Sequence, residues 1–523
     1  MRFAENILTH WPLVILVVVL ALQETSWGRT IYVDANAKGR NNGSSWVDAN
    51  PNLDSALWSA RAATKPVEVR VAQGIYKPSY SGSVGGPPDV VAEERRKGSF
   101  KLYSGVTLKG GYAGLGAEDP NARDIIAFRT ILSGDHNGDD VELSRSILPD
   151  SRTPLFDLRH RANRKDNSRC VVTGFDVDET AVLDGFIITG GYHDIAGRED
   201  PTGGGGLNTN NGSPTVIDCT FVGNCVVQSG GSVKNSYSTS PTFIRCTFQA
   251  NYAGDGGGMY NYQSHPVLID CLFVANYATE RGGGIANVKT SNPKLTRCRF
   301  VGNSARQDGG GGVFNVSSSP VMNNCLFVGN SARAGAGISD TWNSRARLNG
   351  CILWDNHGPA FATTASSADV QWSDIEGGWP GSGNIDADPC FANPGHWVNP
   401  SDPNVPGDPT DVNAIWVDGD YHLKSQSGRW DPSSQSWVKD DVTSPCIDAG
   451  DPNSPVGDEP FPNGGRINMG AYGGTAEASK SYFGEPACET IIAGDINGDC
   501  KVDSRDLAIL SQHWLAFGDV LVR

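Results

Sequence analysis

From residue 203 to 356 the apolar and polar positions repeat as one unit, six times over. Cys219, Cys246, Cys271, Cys298, Cys325 and Cys351 fall at steps of 27, 25, 27, 27 and 26 residues. Two residues after each comes Phe221, Phe248, Phe273, Phe300, Phe327 or Leu353, and three further on Asn224, Asn251, Asn276, Asn303, Asn330 or Asn356. A fixed period in this range marks a stacked-repeat architecture. Inside a unit the apolar residues alternate, as in Ile217-Asp218-Cys219-Thr220-Phe221, which is the pattern of one face of a strand. Glycine runs such as 256–258 and 282–284 would break helices there, and a leucine-rich repeat would need more leucines per unit. The pattern predicts a right-handed parallel β-helix, each turn of about 26 residues giving two or three short strands.

Stacking such turns at about 4.8 Å places equivalent residues on top of one another. The Cys and Phe positions become buried ladders, and the Asn positions become amide ladders at the bends. A second amide ladder is expected from Asn208, Asn235, Asn261, Asn287 and Asn315, closed by Asp340. Asp218, Arg245, Asp270, Arg297 and Asn324 would form a row of alternating charge, a structural ladder that avoids like-charge contacts.

The alternation of Phe-x-x-Asn with Gly283-Gly284-Ile285 and Gly311-Gly312-Val313 resembles the repeats of polymorphic outer-membrane proteins and other pectin-lyase-fold β-helices. The resemblance spans about 150 residues and implies an all-β, pectin-lyase-like solenoid. It says little about activity, because these motifs are core and bend residues.

Around the repeats the chain divides into further segments. Residues 1–28 read as a signal peptide: Arg2, an apolar run from Trp11 to Leu22, then Ser26-Trp27-Gly28. That run is too short for a spanning helix, which needs about 20 residues. The expectation is a secreted or cell-surface protein that is not integral to the membrane once the signal is cleaved. Residues 29–180 read as an N-terminal cap with irregular first turns, including a short helix from Leu53 to Ala63. Residues 181–378 carry the regular turns, and 379–484, rich in Pro, Gly, Asp and Trp, read as last turns and long loops over the lower end.

The tail, residues 487–520, has its own chemistry. Asp495, Asn497, Asp499, Asp503 and Asp506 fall at positions 1, 3, 5, 9 and 12 of a calcium loop, with the Lys501 carbonyl at position 7. A helix follows, so the segment resembles one half of a dockerin. That resemblance implies Ca²⁺ binding, docking on a cohesin-like partner, and company with polysaccharide-degrading proteins. Cys500 stands where the family has Gly, Ser504 and Arg505 occupy the partner-choosing positions, and one repeat is present of the usual two. Asp135-His136-Asn137-Gly138-Asp139 opens like such a loop but continues to Leu143 and Ser146 where ligands belong, so it reads as a turn.

Composition narrows the function. A formal charge of −16 argues against nucleic acid and anionic membranes as partners. Of the twelve cysteines, the six in the repeat read as stacked thiols in poor disulfide geometry; Cys390 with Cys446, and Cys488 with Cys500, are candidates to pair. Glycosidase chemistry needs two carboxyls about 5 to 9.5 Å apart. Asp255, Glu280 and Asp308 precede successive glycine runs, but Arg281 among them suits another ladder, so no catalytic residue is assigned. Tyr237, Tyr262 and Trp342 could flank a sugar-binding face. Two expectations remain. One is association with polysaccharide, by binding or, as a lyase or glycoside hydrolase, by degradation. The other is a noncatalytic, adhesin-like surface protein.

Overall fold

The computed structural model describes residues 28–80, 88–140, 162–194, 203–399, 401–409, 411, 414–482, 494, 496 and 502–513. Within them the chain winds as a parallel β-helix whose turns stack into sheets of eleven, ten, nine and five strands. A regular turn contributes Val233–Ser236, Thr242–Ile244, Thr247–Gln249 and Tyr252–Asp255 to the nine-, eleven-, ten- and five-stranded sheets respectively. The next turn pairs with all four in parallel. Central turns thus hold four strands, more than the expected two or three.

The alternation through Ile217-Asp218-Cys219-Thr220-Phe221 is not one strand. Thr215–Ile217 and Thr220–Val222 belong to different sheets, and the chain turns a corner between them. Asp218, Arg245, Asp270, Arg297 and Asn324 occupy that corner with φ between 50° and 55°. A non-glycine residue there costs about 1–2 kcal/mol. The row does form the expected pairs: Arg245 grips Asp218 through two nitrogens at 2.7 and 2.8 Å, and Arg297 grips Asp270 at 2.6 and 2.9 Å.

Inside, the ladders fill the bore. Phe221, Phe248, Phe273, Phe300 and Phe327 stack with centroids 4.3–5.3 Å apart, all fully buried. Offset ring stacking adds about 0.5–1.5 kcal/mol per pair beyond the apolar area removed from water. In the first amide ladder each inner Asn side chain, from Asn251 to Asn330, accepts two N–H groups of the turn before and donates to the next Asn. Asn276 Oδ1, for example, accepts from the backbone N–H and Nδ2 of Asn251, while Asn276 Nδ2 donates to Asn303 Oδ1. The second ladder runs Asn235, Asn261, Asn287, Asn315 and Asp340, with donor–acceptor distances of 2.7–2.8 Å. Its first member is Thr209 instead of Asn208, because Thr209 stands in register with Asn235 and donates to it at 2.6 Å.

Helix α1 (Leu53–Ala62) packs on the first rungs. Asn52 caps it by accepting the Ser55 N–H, and Leu53, Ala56, Leu57 and Ala60 turn into the core. Helix α2 (Pro88–Arg95) follows in the same region. No helix among the described residues is long and apolar enough to cross a membrane.

The segment after the last turn lies along the flank of the solenoid, on the outer face of the ten-stranded sheet. Phe391, Trp416, Tyr421, Leu423 and Met469 pack on Val301, Leu326, Val328 and Ile352. Arg299 donates to Tyr472 Oη, Trp397 to the Gly329 carbonyl and Asn324 to the Asn468 carbonyl. The contact is close because Gly302 and Gly329 lack a Cβ, which would sit 2.2 and 2.0 Å from the Trp416 ring. Cys390 and Cys446 are free thiols and do not pair; Cys446 is buried and donates to Asp374 Oδ2 at 3.1 Å.

Candidate functional site

The early rungs of the nine-stranded sheet carry a cleft. Lys101, Thr173 and Asn208 lie in register on three successive strands and form its floor. Asn208, fully buried, therefore lies beneath this cleft and not in the amide ladder. One wall comes from Arg61, in the last turn of α1, with Tyr103 and Phe175. The other comes from Arg96 and Lys97, just after α2, and from Arg169 beside Cys170. The volume is about 690 Å³, within the range of about 300–1,000 Å³ usual for ligand pockets.

Its electrostatics run against the acidic chain around it. Five cations line it against one carboxylate, Asp176, in a protein of charge −16. Arg96 is locked in place, donating to Asp194 at 2.7 Å and to the Asn167 and Tyr192 carbonyls. Arg169 pairs with Glu93, yet its buried Nε has no hydrogen-bond acceptor. Arg61 lies 5.7 Å from the centroid of Tyr103, and neither Arg61 nor Lys101 makes an ion pair among the described residues. Burial raises the Tyr103 phenol against the opposing charge of Arg61, so it stays a neutral hydroxyl. Burial likewise pushes the Cys170 thiol up to about 12, and its Sγ donates to the Val172 carbonyl, so it is no nucleophile. The arrangement is built to hold an anionic or hydroxyl-rich ligand. With Asp176 as its one lining carboxylate, it lacks the carboxyl pair of glycosidase chemistry.

The other acids lie apart from this cleft. Asp255 is buried and bound by Arg281 at 2.9 and 3.2 Å. Burial raises its carboxyl, and Arg281 opposes the shift. Arg281 also covers Phe314, so Asp255 is tied into the wall, while Glu280 is half-buried and Asp308 exposed. Tyr237 and Trp342, 49% and 69% exposed, take the same left-handed corner four rungs apart. Tyr262 is the last residue of its strand, one register position off, and meets Tyr237 edge-on at 5.8 Å. The turn at Asp135 accepts the Gly138 N–H, and Asp135, Asp139 and Asp166 bring carboxylate oxygens within 4.8 Å of one another.

In the tail, Asp495, Asn497, Asp499 and Lys501 lie outside the described residues, as do Cys488 and Cys500. Asp503 and Asp506 are described. Asp506, in the first turn of helix α3 (Ser504–His513), is 2% exposed. Its two oxygens accept the N–H groups of Ile496 and Asp503, both at 2.7 Å, drawing the ends of the loop together. The donor set is all oxygen, which fits a hard cation such as calcium.

The cleft was not foreseen from the sequence. Its one local trace is the charge run Glu93-Glu94-Arg95-Arg96-Lys97; the remaining cations come together only through strand register.

A family model described as right handed beta helix region matches residues 202–375, and one described as disaggregatase related matches residues 383–450. The crystal structure of pectate lyase Pel9A aligns with 85% of this chain and 96% of that chain, at 13% identity and a TM-score of 0.39. No curated protein matches the chain. Residues 203–375 form a right-handed parallel β-helix.

Proposed function

We propose that the chain is a secreted protein that associates with extracellular polysaccharide and is tethered by its calcium-loaded tail. The cleft on the nine-stranded sheet carries this reading. It joins cations, hydroxyls and ring faces in one cleft of about 690 Å³, a combination that suits a hydroxyl-rich ligand. Calcium would be held by Asp495, Asn497, Asp499, Asp503 and Asp506 with the Lys501 carbonyl. It would order the loop ahead of α3, and the dockerin resemblance points to a cohesin-like protein as the docking partner.

A second reading, a noncatalytic adhesin-like protein, draws support from the ten-stranded face, which is covered by the chain's own segment. The mature protein incubated with acidic and neutral polysaccharides, with and without calcium, separates the two. Retention on a polymer supports association, and new reducing ends or unsaturated products would add degradation. Silence in every arm would leave the adhesin reading.

A further inference from the structure

We infer that Asp135, Asp139 and Asp166, with Asp140 and Asn167 beneath them, form a calcium site separate from the tail loop. It goes beyond the polysaccharide reading and does not rest on it. Asp135 and Asp139 stand at positions 1 and 5 of the calcium-loop pattern, and the chain offers Leu143 and Ser146 where that pattern closes. The fold closes it from elsewhere. Asp166 ends the 3-10 turn Ala162–Asp166, and its Oδ2 accepts the Asn137 N–H at 2.9 Å, which brings it to the loop. One oxygen of each carboxylate then lies within 4.8 Å of the other two. Oxygens around a single calcium ion, each about 2.3–2.6 Å from it, span no more than about 5 Å.

Acids crowd on many surfaces, so the unpaired groups decide. Among the described residues no Lys or Arg makes an ion pair with any of the three. Nearby Lys77 donates to the His136 carbonyl at 3.3 Å. Asp140 and Asn167, 8% and 0% exposed, make the buried side of the cluster. The Asp140 N–H donates to Asp135 Oδ2 at 3.2 Å, and Asn167, which follows Asp166, donates through Nδ2 to Asp140 Oδ2 at 2.6 Å. Arg164 approaches that same Oδ2, at 3.9 Å. Oδ1 of Asp140 and Oδ1 of Asn167 are buried and meet no donor. Two open buried acceptors beside three unpaired carboxylates call for a cation. Donors that are all oxygen suit a hard ion, and water completes the shell at the exposed Asp139. The ion would staple the two ends of this connection, where the Ser168 N–H donates to the Gly134 carbonyl at 2.8 Å. The Asn167 carbonyl also accepts Arg96 Nε at 3.1 Å, so the staple steadies that wall of the cleft.

The test uses the full chain carrying Asp506→Ala, so that the tail loop does not contribute. After divalent ions are stripped with chelator, calorimetry with calcium chloride should show one ion bound per chain. Adding Asp139→Asn should weaken that binding at least about tenfold, because a neutral ligand replaces a charged one. Asp139 is exposed, and its carboxylate takes no hydrogen bond from another of the described residues, so the melting temperature in chelator should not move. As an independent readout, calcium should slow hydrogen exchange at Asn137, Gly138, Asp140 and Ser168 in the Asp506→Ala chain, and not once Asp139→Asn is added. Absence of calcium binding overturns the inference and leaves polysaccharide association standing. Binding undiminished by Asp139→Asn, or protection confined to other amides, overturns it by placing the ion elsewhere.

Discussion

Substituting Asn276 by alanine tests whether the amide ladder holds the turns together. Asn276 is fully buried in the middle of the ladder. Its Oδ1 accepts the Asn251 backbone N–H at 3.1 Å and Asn251 Nδ2 at 2.9 Å, and its Nδ2 donates to the Phe248 carbonyl at 2.7 Å. Removal orphans two donors in a buried interior, while the Phe248 carbonyl stays in the ladder bonding of the Gln249–Val274 pair and Asn303 Oδ1 keeps the Asn276 backbone N–H. At about 1–3 kcal/mol per buried orphan the loss lies between about 2 and 6 kcal/mol, and a water entering the space left behind draws it toward about 3. Asn356 makes the same contacts at the ladder's end, but it is half-buried, so solvent replaces them and Asn356→Ala should cost about 1 kcal/mol. Urea unfolding of both variants, with hydrogen exchange at the amides of Asn251 and Asn330, measures the difference. Equal midpoint shifts, or a loss below about 1 kcal/mol at Asn276, would refute the reasoning.

Phe300→Ala removes a ring stacked at 4.8 and 4.7 Å on its neighbours and should cost about 3–5 kcal/mol, read as a lowered denaturation midpoint. Arg245→Met, by contrast, breaks a pair whose arginine is 51% exposed and should shift stability by less than about 1 kcal/mol in the same assay. Burial pushes the Glu459 carboxyl up to about 8, against two backbone N–H donors that favour its charged form. The folded chain then keeps a proton that the unfolded chain releases near 4.5. Stability is full below that pH and falls, by an order of a few kcal/mol, as pH rises through about 8. Glu459→Gln should flatten this decline in melting scans between pH 5 and 9. Calcium should raise hydrogen-exchange protection across Ser504–His513, and Asp506→Ala should abolish that response.

The repeats were legible because a ladder asks for the same residue on every rung. Cys, Phe and Asn at a fixed step therefore revealed the fold, the stacked rings and the first amide ladder. The corner at Asp218 was hidden by its own geometry: one left-handed residue redirects the chain without disturbing the count of alternate apolar positions, so two strands read as one. At the head of the second ladder residue type points to Asn208 and spacing to Thr209. Thr209 stands 26 residues before Asn235, the step from Asn235 to Asn261, and a hydroxyl enters the ladder as readily as an amide. The flank segment carries no period, and nothing in its composition says which face it covers. Gly302 and Gly329 were its only trace, and they look like ordinary bend glycines until Trp416 is seen against them.

Regularity also explains where a specific site can arise on such a fold. Along the even rungs the corner and core positions are repeated by their neighbours above and below, so the wall is built of rows. Charge there is cancelled in place, as Arg245 is by Asp218 and Arg281 by Asp255. The ten-stranded face is further closed by Trp416 and its neighbours. Singular geometry needs a break in repetition. The first rungs supply one: Phe100–Lys101 and Val172–Thr173 are two-residue strands separated by long connections, and α1 and α2 bring Arg61 and Arg96 to their outer face. Side chains of different types therefore gather at one point where the repetition fails, and the cleft lies there.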